Sequence, residues 1–288
     1  MNTPIKNFGI AYHPQINEAP ALAAEIAAHL KDLGAQVQAV GAIYEKPFRQ
    51  DITDKAFGAL LVLGGDGTML RASHLCASVG IPILGINLGS FGFLMELKPQ
   101  EWKAFIPRLL TGDFRLESHM LLQADHIRDG ENREHWLVVN DVVVCRGQYV
   151  RPIRLEAEVD GAHMASYVAD GVIAATPTGS TAYALAAGGA ILPPELRNIL
   201  VVPVAPHLSP DQPIVLSEGA CITFRVHTSH QAVVSVDGHM PVVMEDGDSV
   251  RVNSSELNSD FIRFHEPGYF YTNLNRFLEQ NPSFPNSR

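Results

Sequence analysis

Lysine runs out early in this chain. All six lysines fall at or before Lys103, and beyond that point only arginine supplies fixed positive charge. Bases are outnumbered throughout, 21 against 31 acids, for a formal net charge of −10. Residues 1–103 carry 9 acids and 8 bases, and the remainder carries 22 and 13. A surplus of this sign excludes broad electrostatic attachment to nucleic acid or anionic lipid, while leaving room for a local anion site. Cysteine is scarce as well. Cys76, Cys145 and Cys221 lie far apart, form no CxxC pair and are odd in number. Buried thiols in a reducing compartment are expected, with no disulfide framework. No apolar run approaches the ~20 residues of a membrane-spanning helix. The opening MNTPIKNFGIAYHP lacks the basic-then-apolar order of a signal peptide. The expectation is a cytoplasmic protein with neither membrane nor nucleic-acid partners. No glycine loop closes on Gly-Lys-Ser/Thr, so there is no Walker A site, and no GxSxG supports a hydrolase elbow. His227 and His230 have no third ligand near them in sequence, and no zinc site is expected.

What the chain does have is length, 288 residues, and turn chemistry, with 23 glycines and 19 prolines set between apolar runs. That length allows one large domain or two modest ones. NFGIAY (7–12) reads as a strand, and Leu22, Ile26, Leu30 and Leu33 recur at helical spacing until Gly34 stops the helix. ALLVL (59–63) reads as a central parallel strand, a helix follows at 68–78, then PILGINL as another strand. This alternation predicts an α/β domain with an open parallel sheet over residues 1–115. From 116 to 265 the segments are short and strand-like, among them WLVVNDVVV, RLEAEVD, CITFRVHT and AVVSVDG, interrupted by one helix near 181–187. They predict a mainly β, sandwich-like second domain. The aromatic tail, 266–288, is expected to return to the first domain.

Three segments carry candidate chemistry. In Leu63-Gly64-Gly65-Asp66-Gly67-Thr68-Met69-Leu70-Arg71 a hydrophobic strand runs through glycines into a helix. Such a turn lets backbone approach a ligand closely, and free N–H groups at the helix start can receive phosphate oxygens. Arg71 could add a charge-assisted contact. Asp66 is either a base or metal-nucleotide ligand, or an Asx-type turn residue. A second glycine-rich strand exit, GINLGSFGFL (85–94), could line the same crevice or serve as core. The second segment is Asn140-Asp141 inside an apolar run, where an unpaired carboxylate would be expensive. These two residues either meet a ligand such as a ribose diol or satisfy local backbone donors. The third is DGVIAATPTGSTAYALAAGG (170–189), a strand entering a small-residue loop and helix with Ser180 or Thr181 as a plausible N-cap. An ordinary capped helix between sheets explains it equally well.

Taken in order, GGDGT (64–68), ND (140–141), DGVIAATPTGSTAY (170–183) and GGAI (188–191), with GINLGSFGFL, resemble the NAD kinase family. Lipid kinases and phosphofructokinases share related GGDGT loops, but not the later segments. The resemblance implies phosphoryl transfer from ATP, or polyphosphate, to the 2′-hydroxyl of the adenosine ribose of NAD. A divalent cation, magnesium, would accompany the donor. It implies Asp66 as base, with Gly65, Gly67, Thr68 and Arg71 on phosphate. It implies NAD contacts from Asn140, Asp141, Asp170, Thr181, Ala182, Tyr183, Ala184, Leu185 and Ala186, and points also to Arg151 and His239. Family members usually carry Glu where this chain has Asp141, and some have a basic residue where it has Val168. The family implies a homodimer or homotetramer. The alternatives are another GGDGT-loop kinase acting on a lipid or sugar phosphate, and a non-catalytic NAD-sensing module.

Overall fold

The computed structural model describes residues 2–89, 92–207 and 209–280, the last five without their side chains. Ser90, Phe91 and residues 281–288 of the tail therefore lie outside the described residues. The chain opens with β1 (Asn7–Tyr12), α1 (Ala19–Asp32), β2 (Gln36–Ala42), α2 (Lys46–Thr53), β3 (Ala59–Gly64), α3 (Asp66–Ala77), β4 (Ile83–Asn87) and α4 (Trp102–Thr111). There follow β5 (Arg115–Arg128), β6 (Glu131–Val138), β7 (Asp141–Arg146), β8 (Ile153–Val159), β9 (Ala162–Ala169) and β10 (Gly171–Ala175). A 3-10 turn (Thr178–Thr181) and a single-turn helix, α5 (Tyr183–Ala186), lead to β11 (Asn198–Val204), β12 (Ile214–Ser217), β13 (Ile222–His227), β14 (Ala232–Val236) and β15 (Val242–Met244). The long β16 (Ser249–Arg263) and α6 (Tyr269–Gln280) complete it. Two compact units result. One comprises the residues up to Ser118 with those from Asn258 onward, the other His119–Leu257.

The first unit is α/β. Its strands lie in the order β2-β1-β3-β4-β16, all parallel. Every residue of β3 is buried, as a central parallel strand covered on both faces requires. Alternation divides it: Leu61 and Leu63 face the cluster that holds Ile26 and Leu30 of α1, while Leu60 and Val62 face Met69 and Ala72 of α3. Leu33 leaves the expected helical stripe. It is the C-cap of α1 and is exposed, because Gly34 turns the chain with φ +82°. In the tail, Phe270 lies 6.2 Å from Phe93, and Tyr269 stacks on His265 at 4.1 Å.

The second unit is a sandwich of antiparallel strands. One sheet runs β12-β11-β10-β7-β14-β15. Opposite it, β13 pairs with β8 and with the first part of β16, and β8 pairs with β9. The core between them holds Val142, Val144, Val172 and Ala174 from one sheet against Leu155, Tyr167 and Phe224 from the other. Two expectations are corrected here. WLVVNDVVV is not one strand, because it bends at Val139 and Asn140 between β6 and β7. The helix near 181–187 is a 3-10 turn followed by one α turn with no side-chain cap, its N-cap being Ala182. Ser180 has other work. Its hydroxyl donates to the carbonyl of Pro177 at 2.6 Å and accepts the N–H of Leu192 at 2.9 Å.

Candidate active site

The GGDGT turn sits where β3 ends and α3 begins. The helix starts at Asp66, two residues earlier than its periodicity predicts, with Gly65 as N-cap. The glycines play different parts. At Gly64 a Cβ would lie 2.3 Å from the Thr68 hydroxyl, so the protein's own packing requires glycine there. At Gly65 and Gly67 a Cβ would meet nothing within 4 Å. Those two leave open space over a helix start whose first N–H groups have no intrahelical acceptor. Arg71, one turn on, lies 5.8 Å over the Tyr44 ring, and its buried Nε has no hydrogen-bond partner among the described residues.

The Asp66 carboxylate does not point idly into the turn. Oδ2 accepts the N–H of Phe93 at 2.9 Å and Oδ1 that of Leu94 at 3.1 Å. Burial pushes its pKa above the usual carboxylate value, against the pull of these two amides and the positive charge of Arg263. The fit is close: a Cβ on Gly92 would lie 2.1 Å from Oδ1. Gly92→Ala should therefore displace the carboxylate and lower turnover strongly, with the fold retained. Steady-state rates alongside a thermal melt check this, and an unchanged rate would mean that the carboxylate's position is immaterial. The second glycine-rich segment thus acts as a cradle for Asp66, a role its sequence left open.

In the second unit the bend at 139–140 has a specific cause. Asp237 accepts the N–H groups of Val139 at 2.8 Å, Asn140 at 2.6 Å and Asp141 at 3.0 Å. It returns its own N–H to the carbonyl of Asp141 at 2.9 Å. Three donors that a ladder would have used are gathered on one carboxylate. Sequence analysis placed Asp237 only at the end of the strand-like AVVSVDG segment. Its φ of +49°, uncommon outside glycine, marks the constraint. The TPTGST segment is clamped to the same bend. The N–H of Thr176 donates to the carbonyl of Asn140 at 2.8 Å and its hydroxyl to that of Val139 at 2.7 Å. A Cβ on Gly179 would stand 2.0 Å from the Asn140 carbonyl oxygen, so only glycine fits. Asp237→Ala should cost about 2–3 kcal/mol by stranding buried donors. Urea unfolding measures the loss, and a wild-type midpoint would refute the capping role.

Asp141 is 5% exposed and accepts the backbone N–H of Tyr183. Burial first, and the nearby charge of Asp237 second, push its pKa up to about 7. Tyr183, exposed at the start of α5, is within electrostatic reach of Cys145, Asp141, Asp170 and Arg146. Asp170 forms an ion pair with Arg146, Nε to Oδ1 at 3.0 Å, a partner the sequence did not single out. Asn140 and Asp141 stand at the start of β7, opposite Ala175 at the end of β10, whereas Asp170 precedes β10 beside Arg146 at the other end of the same antiparallel pair. Tyr183 has its backbone N–H on Asp141 and is within electrostatic reach of both acids. Thr181, Ala182 and Leu185 of the same segment are half-buried, Ala186 is exposed, and Ala184 is wholly within the core with Ile173 and Val202. Arg151 is exposed on the β7–β8 loop, and His239 is exposed in the turn after β14. His227 and His230 do not converge: one pairs with Glu156 at 3.3 Å and the other lies against Tyr149.

Residues 8–114 match the family model for the ATP-NAD kinase N-terminal domain, and residues 139–264 match that for the C-terminal domain. The chain is 36% identical over 280 residues to an NAD kinase of Dehalococcoides mccartyi, covering 96% of this chain and 97% of that one. This chain belongs to the NAD kinase family. An NAD kinase of Heliobacterium modesticaldum is 42% identical over 212 residues, 73% of this chain and 75% of the other. The fold is that of yeast NADH kinase, solved in complex with NADH, at a TM-score of 0.84 over 99% of this chain and 91% of that chain, with 24% identity. An Archaeoglobus fulgidus NAD kinase in complex with ATP aligns at a TM-score of 0.75 over 96% of this chain and 99% of that one, also at 24% identity. The two-part architecture expected for an NAD kinase is therefore the one observed.

Proposed function

We propose that this NAD kinase transfers the terminal phosphoryl group of ATP to the 2′-hydroxyl of the adenosine ribose of NAD, giving NADP and ADP. The observation that carries this reading is the half-buried Asp66 carboxylate, held by two backbone amides beside an open glycine turn. The turn's N–H groups, with the Arg71 guanidinium one turn into the helix, receive donor phosphates. Each carboxylate oxygen of Asp66 keeps a lone pair beyond the one that its backbone amide uses. It accepts the ribose proton as the hydroxyl oxygen attacks the γ-phosphorus. The bond from that phosphorus to the bridging oxygen then breaks, and ADP leaves. Burial makes Asp66 a better base than an exposed carboxylate would be. The second unit offers the dinucleotide contacts that the family resemblance implies: Asn140 and Asp141 for the diol, with Asp170, Thr181, Ala182, Tyr183, Leu185, Ala186, Arg151 and His239; Ala184 lies in the core and takes no part.

Among the described residues no group of three carboxylate, imidazole or thiol side chains is placed to hold a metal ion, and both Asp66 oxygens already hold amides. A resident metal cage does not fit these residues. Magnesium would enter on the donor's phosphates, keeping most of its waters, and no step above runs through a protein-bound metal. Self-association as a dimer or tetramer belongs to the same reading. Light scattering measures it. Cys76, Cys145 and Cys221 are unpaired, in keeping with a cytoplasmic enzyme, and no described helix is long and apolar enough to cross a membrane.

The test is formation of NADP from NAD with magnesium, with ATP and polyphosphate as donors in parallel. NADP formed with ATP supports the proposal. NAD bound with no NADP from either donor would make this a sensing module instead.

A further inference from the structure

A buried guanidinium stands behind Asp66 that the proposed reaction does not use. Arg263, at the end of β16, is 6% exposed. Its Nε donates to Glu117 Oε1 at 3.0 Å, and one terminal nitrogen donates to the Leu94 carbonyl at 3.1 Å and to Glu96 Oε2 at 3.3 Å. Both partners are themselves fixed. Glu96 Oε1 accepts the N–H groups of Phe264 at 2.6 Å and His265 at 3.0 Å, and the His265 ring nitrogen at 2.7 Å. Glu117 Oε2 accepts Arg115, whose Nε in turn holds the His265 carbonyl at 2.8 Å. The guanidinium carbon lies 5.2 Å from the centre of the Phe261 ring.

Stability alone is a weak reason for this network, since apolar packing often replaces buried ion pairs without loss. Its position is more telling. Leu94 is held at both ends of one peptide-bonded residue: its carbonyl on Arg263, its N–H on Asp66. We propose that Arg263 is a positioning residue for Asp66, fixing through Leu94 the segment that cradles the carboxylate and setting a positive charge behind it. This rests on the reading of Asp66 as proton acceptor. The charged groups around Asp66 are Arg263 from β16, with Glu96 from the cradle segment and Glu117 from β5 standing behind it, and His265 beyond Glu96. Arg263 is the one whose charge favours the ionised carboxylate, opposing the burial that disfavours it. Without that cation Asp66 would hold its proton to higher pH, so a smaller fraction would be ready to act at a given acidic pH.

The experiment compares Arg263→Met and Arg263→Lys in the full chain, reading kcat/KM against pH, kcat and KM separately, NAD affinity by calorimetry, and the thermal midpoint. Arg263→Met should lower kcat about tenfold or more near neutrality, a loss of the size expected when a reacting group is misplaced. Its acid limb should move to higher pH, with KM for NAD little changed. Arg263→Lys should restore the limb while recovering only part of kcat, since the charge returns without the planar fork. If Arg263→Met does not fold, the Lys variant and Arg263→Gln give the same comparison of charge kept against charge lost. An acid limb at the wild-type pH in the uncharged variant would overturn the proposal. Asp66→Asn separates the two ideas. In that background Arg263→Met should slow turnover no further, whereas an undiminished additional loss would make Arg263 merely structural. A fully active Asp66→Asn enzyme would instead remove the reading on which the proposal stands.

Discussion

Asp66→Asn should lower turnover by about 10²–10⁴-fold, the contribution of a positioned general base, while NAD still binds. The change removes the proposed proton acceptor and preserves the shape. It is not silent structurally, because both carboxylate oxygens accept backbone N–H groups, from Phe93 and Leu94. Asparagine offers one acceptor oxygen and turns an NH₂ toward the other donor, at a cost of about 1–3 kcal/mol. The thermal midpoint should drop with the rate, and rates must be taken well below it. Asp66→Glu offers no escape, because the space beside the carboxylate is already filled to the Cα of Gly92. In the wild-type enzyme the acid limb of the rate profile should lie above the ordinary carboxylate range, since burial raises Asp66 more than its amides and Arg263 lower it. Steady-state turnover of Asp66→Asn equal to wild type would reject the base assignment.

The second large effect concerns Asp141 and divides binding from stability. Its folded pKa, about 7, lies far above the ordinary aspartate value of 3.8, chiefly through burial and secondarily through Asp237. Between those two values the native state binds a proton that the unfolded state has released. The stability this group contributes is therefore fully present below pH ~4 and is lost as pH rises toward ~7. Asp141→Asn keeps an acceptor for the Tyr183 N–H and removes the charge. Its thermal midpoint should exceed that of wild type at pH 8, and the gain should shrink at pH 5, where the wild-type carboxyl is largely protonated. NAD binding should move the other way. A diol donating two hydroxyl protons needs the ionised carboxylate, so the variant should bind NAD more weakly at pH 8. Wild-type affinity should climb through pH ~7, with proton release on binding below it. Melts at the two pH values and calorimetry in buffers of different ionisation enthalpy measure both arms. A variant with wild-type affinity for NAD, or a melting difference that does not depend on pH, would refute the corresponding half. A carboxylate that destabilises the fold at working pH is what a binding role at this position would exact.

Much of the architecture was legible because it rests on side-chain pattern. Alternation in β3, the stripe of Leu22, Ile26 and Leu30, and the change after residue 115 from mixed elements to short strands are written in which residues are apolar and how they are spaced. The bend inside WLVVNDVVV was not legible, since its cause, Asp237, lies 98 residues from Val139. Nor was the loss of the expected helix over 181–187. Its alanines favour helix, but Ser180 is tied to Pro177 and Leu192, and Ala184 is drawn into the core.

The sequence by itself determined the family and the two kinds of fold, and it singled out the candidate residues for the chemistry, because glycine turns, acids within apolar runs and hydrophobic periods are properties of side chains in order. Only the tertiary structure decided what state those residues are in. Asp66 is held by the amides of Phe93 and Leu94 and backed by Arg263, and Asp141 is raised by its burial and by Asp237. The physical reason is that these contacts end on backbone N–H groups and on charges distant along the chain. Every residue but proline offers an N–H, so no side-chain pattern announces which will be used, and desolvation exists only once the chain has folded around the group.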